Sequence, residues 1–181
     1  MKVLLIAVLG LGALIGAVAV IGALLPKRHV AVRRARYRQH PEAIWEAITD
    51  FVAFPSWRPD VKSVEALPAR DGHVLFLEKG RNGDITMEIM EAVKPSRLVG
   101  RIADPELAFG GSWTYVISRG DDATTLTITE NGEVHNPIFR FVSRFVFGHQ
   151  RSLDQYLVAL GNKFGEKVTC ESVGLVKRNG T

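Results

Sequence analysis

Only one cysteine, Cys170, occurs in the 181 residues. An internal disulfide and every metal site built on several thiolates are therefore excluded. The five histidines, His29, His40, His73, His135 and His149, are scattered without metal-ligand spacing. The chain has no Gly-x-Ser-x-Gly elbow, no phosphate-cradling glycine loop and no His-Glu-x-x-His. No catalytic residue, metal ligand or cofactor is therefore expected. Repeats and low-complexity stretches are also missing. Acidic residues are absent from the first 41 positions, which hold seven Lys/Arg, so the formal charge of +4 misleads. Residues 42–181 carry a net charge of −3 and have no surplus for gripping nucleic acid.

What the N-terminus does have is an uninterrupted apolar run from Val3 to Leu25. As a helix it would extend roughly 34 Å, enough to cross a hydrocarbon core of about 30 Å. Having no polar face, it does not suit a buried core helix. The rival is a cleavable signal, with Ala17-Val18-Ala19 as a small-x-small site. The run continues past that site, however, and a signal's apolar region is about 7–15 residues long. Lys2 precedes the run, and Lys27, Arg28, Arg33, Arg34, Arg36 and Arg38 follow it. This asymmetry predicts a single-pass protein of the cell membrane with its soluble domain in the cytoplasm. The basic flank suits anionic headgroups, at about 1 kcal/mol per residue near the surface. Gly12 and Gly16 would allow two such helices to pack closely, the one route to an oligomer that the sequence offers.

The expected organisation is an anchor over residues 1–26 and a basic juxtamembrane segment with the first strand over 27–40. One ligand-binding domain covers 30–164, and a weakly structured tail with one possible short strand covers 165–181. Val30 to Arg38 alternates as a strand. Pro41 opens a helix whose stripe is Ile44, Trp45 and Ile48. Phe51 to Pro59 has room only for a short helix or turn. Strands are then expected at Val61–Leu67, His73–Lys79, Ile85–Val93, Leu98–Ala103, Ser112–Ser118 and Thr124–Val134. Asp71-Gly72 and Asn82-Gly83 mark tight hairpins. From Ile138 to Phe164 the spacing turns helical and predicts one helix of roughly 40 Å. Its apolar stripe runs through Ile138, Val142, Phe145, His149, Leu153, Tyr156 and Leu160, with Arg140, Arg144 and Arg151 on the opposite face, either solvated or laid against anionic headgroups with Phe147 dipping into the interface. Strands joined by tight turns must be antiparallel, and only the final helix can cover their apolar face.

Four strings carry a resemblance: Pro41-Glu42-Ala43-Ile44-Trp45, Phe54-Pro55-Ser56-Trp57-Arg58-Pro59-Asp60, Gly111-Ser112-Trp113-Thr114-Tyr115 and Asn136-Pro137-Ile138-Phe139-Arg140-Phe141. With the element order, they make residues 30–164 resemble the START-like, polyketide cyclase-dehydrase and pollen-allergen (SRPBCC) helix-grip superfamily. The resemblance implies an α+β fold in which a curved antiparallel sheet of about seven strands (β-α-α-β6-α) wraps a long C-terminal helix. It further implies a hydrophobic cavity between sheet and helix for a lipid, sterol or polycyclic molecule.

Alternation puts Met87, Ile89, Trp113, Tyr115, Ile117, Leu126, Ile128 and Glu130 on the inner face. His149 and Tyr156 enter from the helix. The expected ligand-binding residues are Trp57, Met87, Trp113, Tyr115, Glu130, Phe145, His149 and Tyr156, a few polar groups in an apolar pocket. Each also has a plainer reading: satisfied tyrosines, a hydrogen-bonded core histidine, a Trp57 that packs the turn and a Glu130 at a wet strand end. Asp104–Gly111 suits either a moving lid or an ordinary hairpin loop. The leading expectation is a membrane-anchored, non-enzymatic binding or transport domain for a lipid or other hydrophobic molecule. A cyclase or dehydratase acting on a polycyclic substrate is the alternative, and a partner-binding module with a collapsed core is a third.

Overall fold

The structure is a computed structural model that describes residues 1–81, 83–147 and 150–174. Eight strands form one antiparallel sheet: β1 (Arg28–Tyr37), β2 (Val61–Arg70), β3 (His73–Gly80), β4 (Gly83–Val93), β5 (Arg97–Ile102), β6 (Phe109–Arg119), β7 (Thr124–Val134) and β8 (Glu171–Ser172). Their order is β2-β3-β4-β5-β6-β7-β1-β8. The eighth strand is the short one anticipated in the tail; it pairs with the outer edge of β1. The β2–β3 hairpin turns at Asp71 and Gly72, both left-handed (φ 54° and 81°), as the tight turns of twisted hairpins require.

Alternation decides which side chains meet. Along β7 the even positions Thr124, Leu126, Ile128 and Glu130 are buried, while the odd ones between them are partly exposed. The β6–β7 register sets Trp113 opposite Glu130, Tyr115 opposite Ile128 and Ile117 opposite Leu126. One face of the sheet therefore carries all of them.

Helix α1 spans Lys2–Leu24 and α2 spans Pro41–Thr49, where Pro41 sits in the first turn and loses no hydrogen bond. A 3-10 helix, Phe51–Ser56, follows. The core joins Ile44 and Ile48 of α2 to Ala31, Ala35, Leu126 and Ile128 of the sheet and to Leu153, Leu157 and Leu160 near the C-terminus. Each large aliphatic side chain contributes about 1.5–3 kcal/mol when fully buried. Tyr37 is buried among them and donates to the Leu157 carbonyl at 2.9 Å. Burial, reinforced by Cys170 and Glu166, holds its phenol well above the usual range.

The expected single helix from Ile138 to Phe164 is broken. Helix α3 covers Pro137–Val142, a π-helical turn covers Ser143–Phe147, and α4 covers Arg151–Lys163. A π turn takes up an extra residue, so the apolar stripe before it is rotated away from the stripe after it. Leu153, Leu157 and Leu160 stay buried, whereas Ile138 and Phe145 are exposed.

Arg140 departs from expectation in the opposite sense. Rather than lying on a solvated face, it is only 5% exposed. Its Nη1 donates to the carbonyls of Gly22 (2.9 Å), Leu25 (3.1 Å) and Ala23 (3.4 Å), at the C-terminal end of α1. Its Nε and Nη2 donate to Val134 O and His135 O. Helix C-termini leave carbonyls unpaired and carry partial negative charge, so a guanidinium there satisfies both. Arg144 and Arg151 are exposed.

One member of the basic flank is likewise engaged inside the fold, while others form ion pairs on its surface. Arg33 points inward and grips Asp154 of α4 with two hydrogen bonds. Arg34 pairs with Glu171 and Arg28 with Glu133. Lys27 and Arg36 are exposed.

Candidate functional site

Between the sheet and α4 lies a hollow lined by Phe51, Phe54, Phe76, Met87, Trp113, Tyr115 and Tyr156, with Arg58 and Glu78 as its charged members. It encloses about 350 Å³ of atom-free space, part of it open to solvent, and about 40 Å³ admits the centre of a water-sized sphere. The first figure counts open solvent; the second, the volume of the cavity itself, is far below the roughly 300 Å³ of the smallest ordinary ligand pockets. The second is the room of about three waters. The hollow is real but narrow, and a polycyclic or acyl ligand requires its walls to part.

Aromatic rings make one wall. Phe51 stacks on Phe76 with centroids 4.4 Å apart, and Phe54 meets Phe51 and Trp57 edge-on. Trp57 stands edge-on to Tyr156 at 5.3 Å, and Tyr156 lies 5.6 Å from Tyr115. Such pairs add about 0.5–1.5 kcal/mol each beyond area burial, so this wall is comparatively stiff.

Arg58 is the polar centre. It makes a two-pronged bond to Glu78 (2.8 and 2.9 Å) and a third to Asp60. Its guanidinium also lies over the rings of Phe54 and Tyr156, at 4.9 and 5.4 Å. Burial opposes its charge, but Glu78 and Asp60 outweigh burial and hold it above its ordinary range. The Tyr115 and Tyr156 phenols are both pushed up by burial and stay neutral donors at physiological pH. Among the described residues, Trp57 Nε1 and Arg58 Nε are buried donors without a protein acceptor.

The structure brings Met87, Trp113, Tyr115 and Tyr156 together around the hollow, with Trp57 alongside. Glu130 points inward at 9% exposure, where it meets His29 Nε2 at 3.0 Å and accepts from Trp113 Nε1 at 3.2 Å. Those contacts tie the β6–β7–β1 corner together. Phe145, expected in the cavity, is 60% exposed and packs on Phe141, because the π turn rotates it outward. His149 lies outside the described residues.

Arg58 and Glu78 were missed. Glu78 follows Phe76 by two on the same strand, so alternation alone would have turned it inward. Arg58 sits in irregular chain after the 3-10 helix, where no periodicity applies.

The profile of a family described as polyketide cyclase / dehydrase and lipid transport matches residues 32–161. No curated protein sequence matches the chain significantly. Several solved structures share the fold. A START superfamily protein from Mycobacterium smegmatis is 16% identical, with TM-score 0.58 over 75% of this chain and 96% of its own. Truncated norcoclaurine synthase from Thalictrum flavum is 10% identical, with TM-score 0.60 over 76% and 93%. An aromatase/cyclase from a Streptomyces species is 13% identical, with TM-score 0.60 over 75% and 93%. At these identities the likeness is one of fold.

Proposed function

This chain belongs to the polyketide cyclase / dehydrase and lipid transport family, and from that premise we propose that it binds a hydrophobic small molecule between its sheet and α4 while tethered to a membrane. One observation carries the reading: an aromatic hollow that holds a single ion cluster and two neutral phenols. Apolar walls supply affinity, and a few fixed donors orient the guest. The orphan donor of Arg58, a residue that lines the hollow, suits a ligand with a carbonyl or hydroxyl oxygen on a flat apolar body.

Tethering is supported by α1, whose apolar length and mean hydropathy of 2.8 suffice to cross a bilayer. Residues Gly22–Leu25 are held by Arg140, so the end of the apolar run is part of the fold. Cleavage after Ala19 would leave it as an exposed apolar stub. The positive flank favours a domain on the cytoplasmic side of the cell membrane.

Native mass spectrometry of the full chain, released from detergent after incubation with polycyclic ketones or with fatty acids, tests this reading. A one-to-one adduct is expected with one of these classes. Absence of any adduct from either class sinks it. A cyclase or dehydratase reading draws on a different feature, the cation Arg58 beside the phenol of Tyr156. A positive charge and neutral donors can polarise a substrate carbonyl. Turnover of a linear poly-β-ketone mimic, lost in Tyr156→Phe, would favour it over carriage.

A further inference from the structure

Helix α1 touches the domain at one end only. Of its residues only Gly22 is buried, and a Cβ there would lie 1.9 Å from the Pro137 carbonyl oxygen of α3. Arg140 of the same short helix holds the three carbonyls around that contact. A hydrocarbon core of about 30 Å takes up roughly 20 residues of helix. Counted from Val3, the far edge of the core falls near Gly22 and Ala23, where α3 is clamped.

Among the side chains described, helix α3 and the π turn carry three large apolar ones in the open: Ile138 at 41%, Phe139 at 53% and Phe145 at 60% exposure. Phe145 rests on Phe141 with ring centroids 4.9 Å apart. No Asp or Glu occurs from Pro137 to Gln150, and exposed Arg144 sits beside Phe145. Apolar side chains with a flanking cation are the composition of an interfacial segment that sinks about 5–10 Å into a bilayer bearing anionic lipid.

We propose that Ile138, Phe139 and Phe145 form a lipid-contacting foot that seats the domain on the bilayer beside α1. This rests on the reading of α1 as a retained membrane span. The occupant of the patch is the bilayer of that same span, because the patch is continuous with the point where α1 leaves the domain. Arg140 acts as a positioning residue that fixes the angle of the foot to the span.

The full chain is reconstituted in vesicles of phosphatidylcholine and phosphatidylglycerol. On a Cys170→Ser background, one nitroxide is placed at Phe139→Cys, Phe145→Cys, Leu14→Cys or Val74→Cys. Val74 is an exposed apolar residue on β3, toward the opposite edge of the sheet. Labels at 139 and 145 should match Leu14, losing accessibility to an aqueous nickel chelate while keeping it to oxygen. If 139 and 145 behave like Val74 while Leu14 stays lipid-exposed, the foot is refuted and the span survives. A water-exposed Leu14 overturns both. Spin–spin broadening at Phe145 that disappears on dilution with unlabelled chain assigns the patch to a second copy and also refutes the foot.

Discussion

Arg140 and Gly22 stand 118 residues apart in the chain, yet the guanidinium of one donates to the carbonyl of the other at 2.9 Å. Among the described residues, every hydrogen-bond acceptor of Arg140 is a backbone carbonyl, and none is a carboxylate. The end of the apolar helix is thereby capped from a distant element.

Losing that cap should loosen the junction. Hydrogen bonds to a charged group contribute about 1.5–3 kcal/mol net. Arg140→Met should therefore raise the rate of tryptic cleavage at Lys27 by about tenfold or more. Arg140→Lys should rescue only part, because an ammonium is a point charge and cannot fork across several carbonyls. Gly22→Val, which forces a side chain against Pro137, should produce a similar rise. Unchanged digestion in all three would show that the cap holds nothing.

Filling the hollow should remove its guest without harming the fold. A Cβ at Gly100 would meet Ile89 Cδ1 at 3.5 Å and Met87 Cε at 3.8 Å, which are ordinary contacts. Gly100→Leu should thus place its larger part in the hollow and weaken ligand capture by about tenfold, roughly 1.4 kcal/mol. Titration by native mass spectrometry reads the affinity, and the melting temperature checks the fold. Equal affinity in the variant would put the ligand elsewhere.

On the opposite face of the sheet Glu88 is buried beneath His73, Arg101 and Arg70. Its hydrogen bond to His73, followed by the Arg101 contacts, lowers its pKa from 4.5 to about 2. A depressed carboxyl contributes stability that is fully present above its unfolded pKa and is lost as pH falls through the folded value. Thermal melts should therefore fall between pH 4.5 and 2. Glu88→Gln should be less stable at neutral pH and should flatten that slope. A variant with the wild-type slope would move the acid sensitivity to other groups.

Cys170 should be a slow thiol. Burial, followed by Asp154, pushes it up to about 11, with Arg33 pulling the other way. At pH 8 only about one molecule in a thousand is then thiolate, and the thiolate is the reactive form. Reaction with a disulfide reagent should run roughly a hundredfold slower than for free cysteine, whose pKa is about 8.5. The rate should climb steeply toward pH 11. A fast reaction at pH 8 would contradict this.

Strands and hairpins were legible because their signals are local. Asp71-Gly72 dictates its turn, and alternation along Thr124–Val134 dictates the buried face. Met87, Trp113 and Tyr115 followed from the same period. What escaped was long-range or irregular. Helical spacing runs unbroken from Ile138 to Leu160 in sequence, but nothing local marks the π turn that rotates Phe145 outward. Arg140 reads like any surface arginine until its partners in α1, more than a hundred residues earlier, are known. Arg58 and Glu78 find each other across 20 residues, one of them in irregular chain, so period alone cannot pair them.

The clasp between Arg140 and α1 imposes an order on biogenesis. The apolar stem leaves the ribosome before the sheet, while its guanidinium partner emerges only after every long strand of the sheet has been made. During that interval the carbonyls of Gly22, Ala23 and Leu25 lack the Arg140 donor. The joint between α1 and the nascent domain is therefore a hinge that stiffens into a bracket only when α3 arrives.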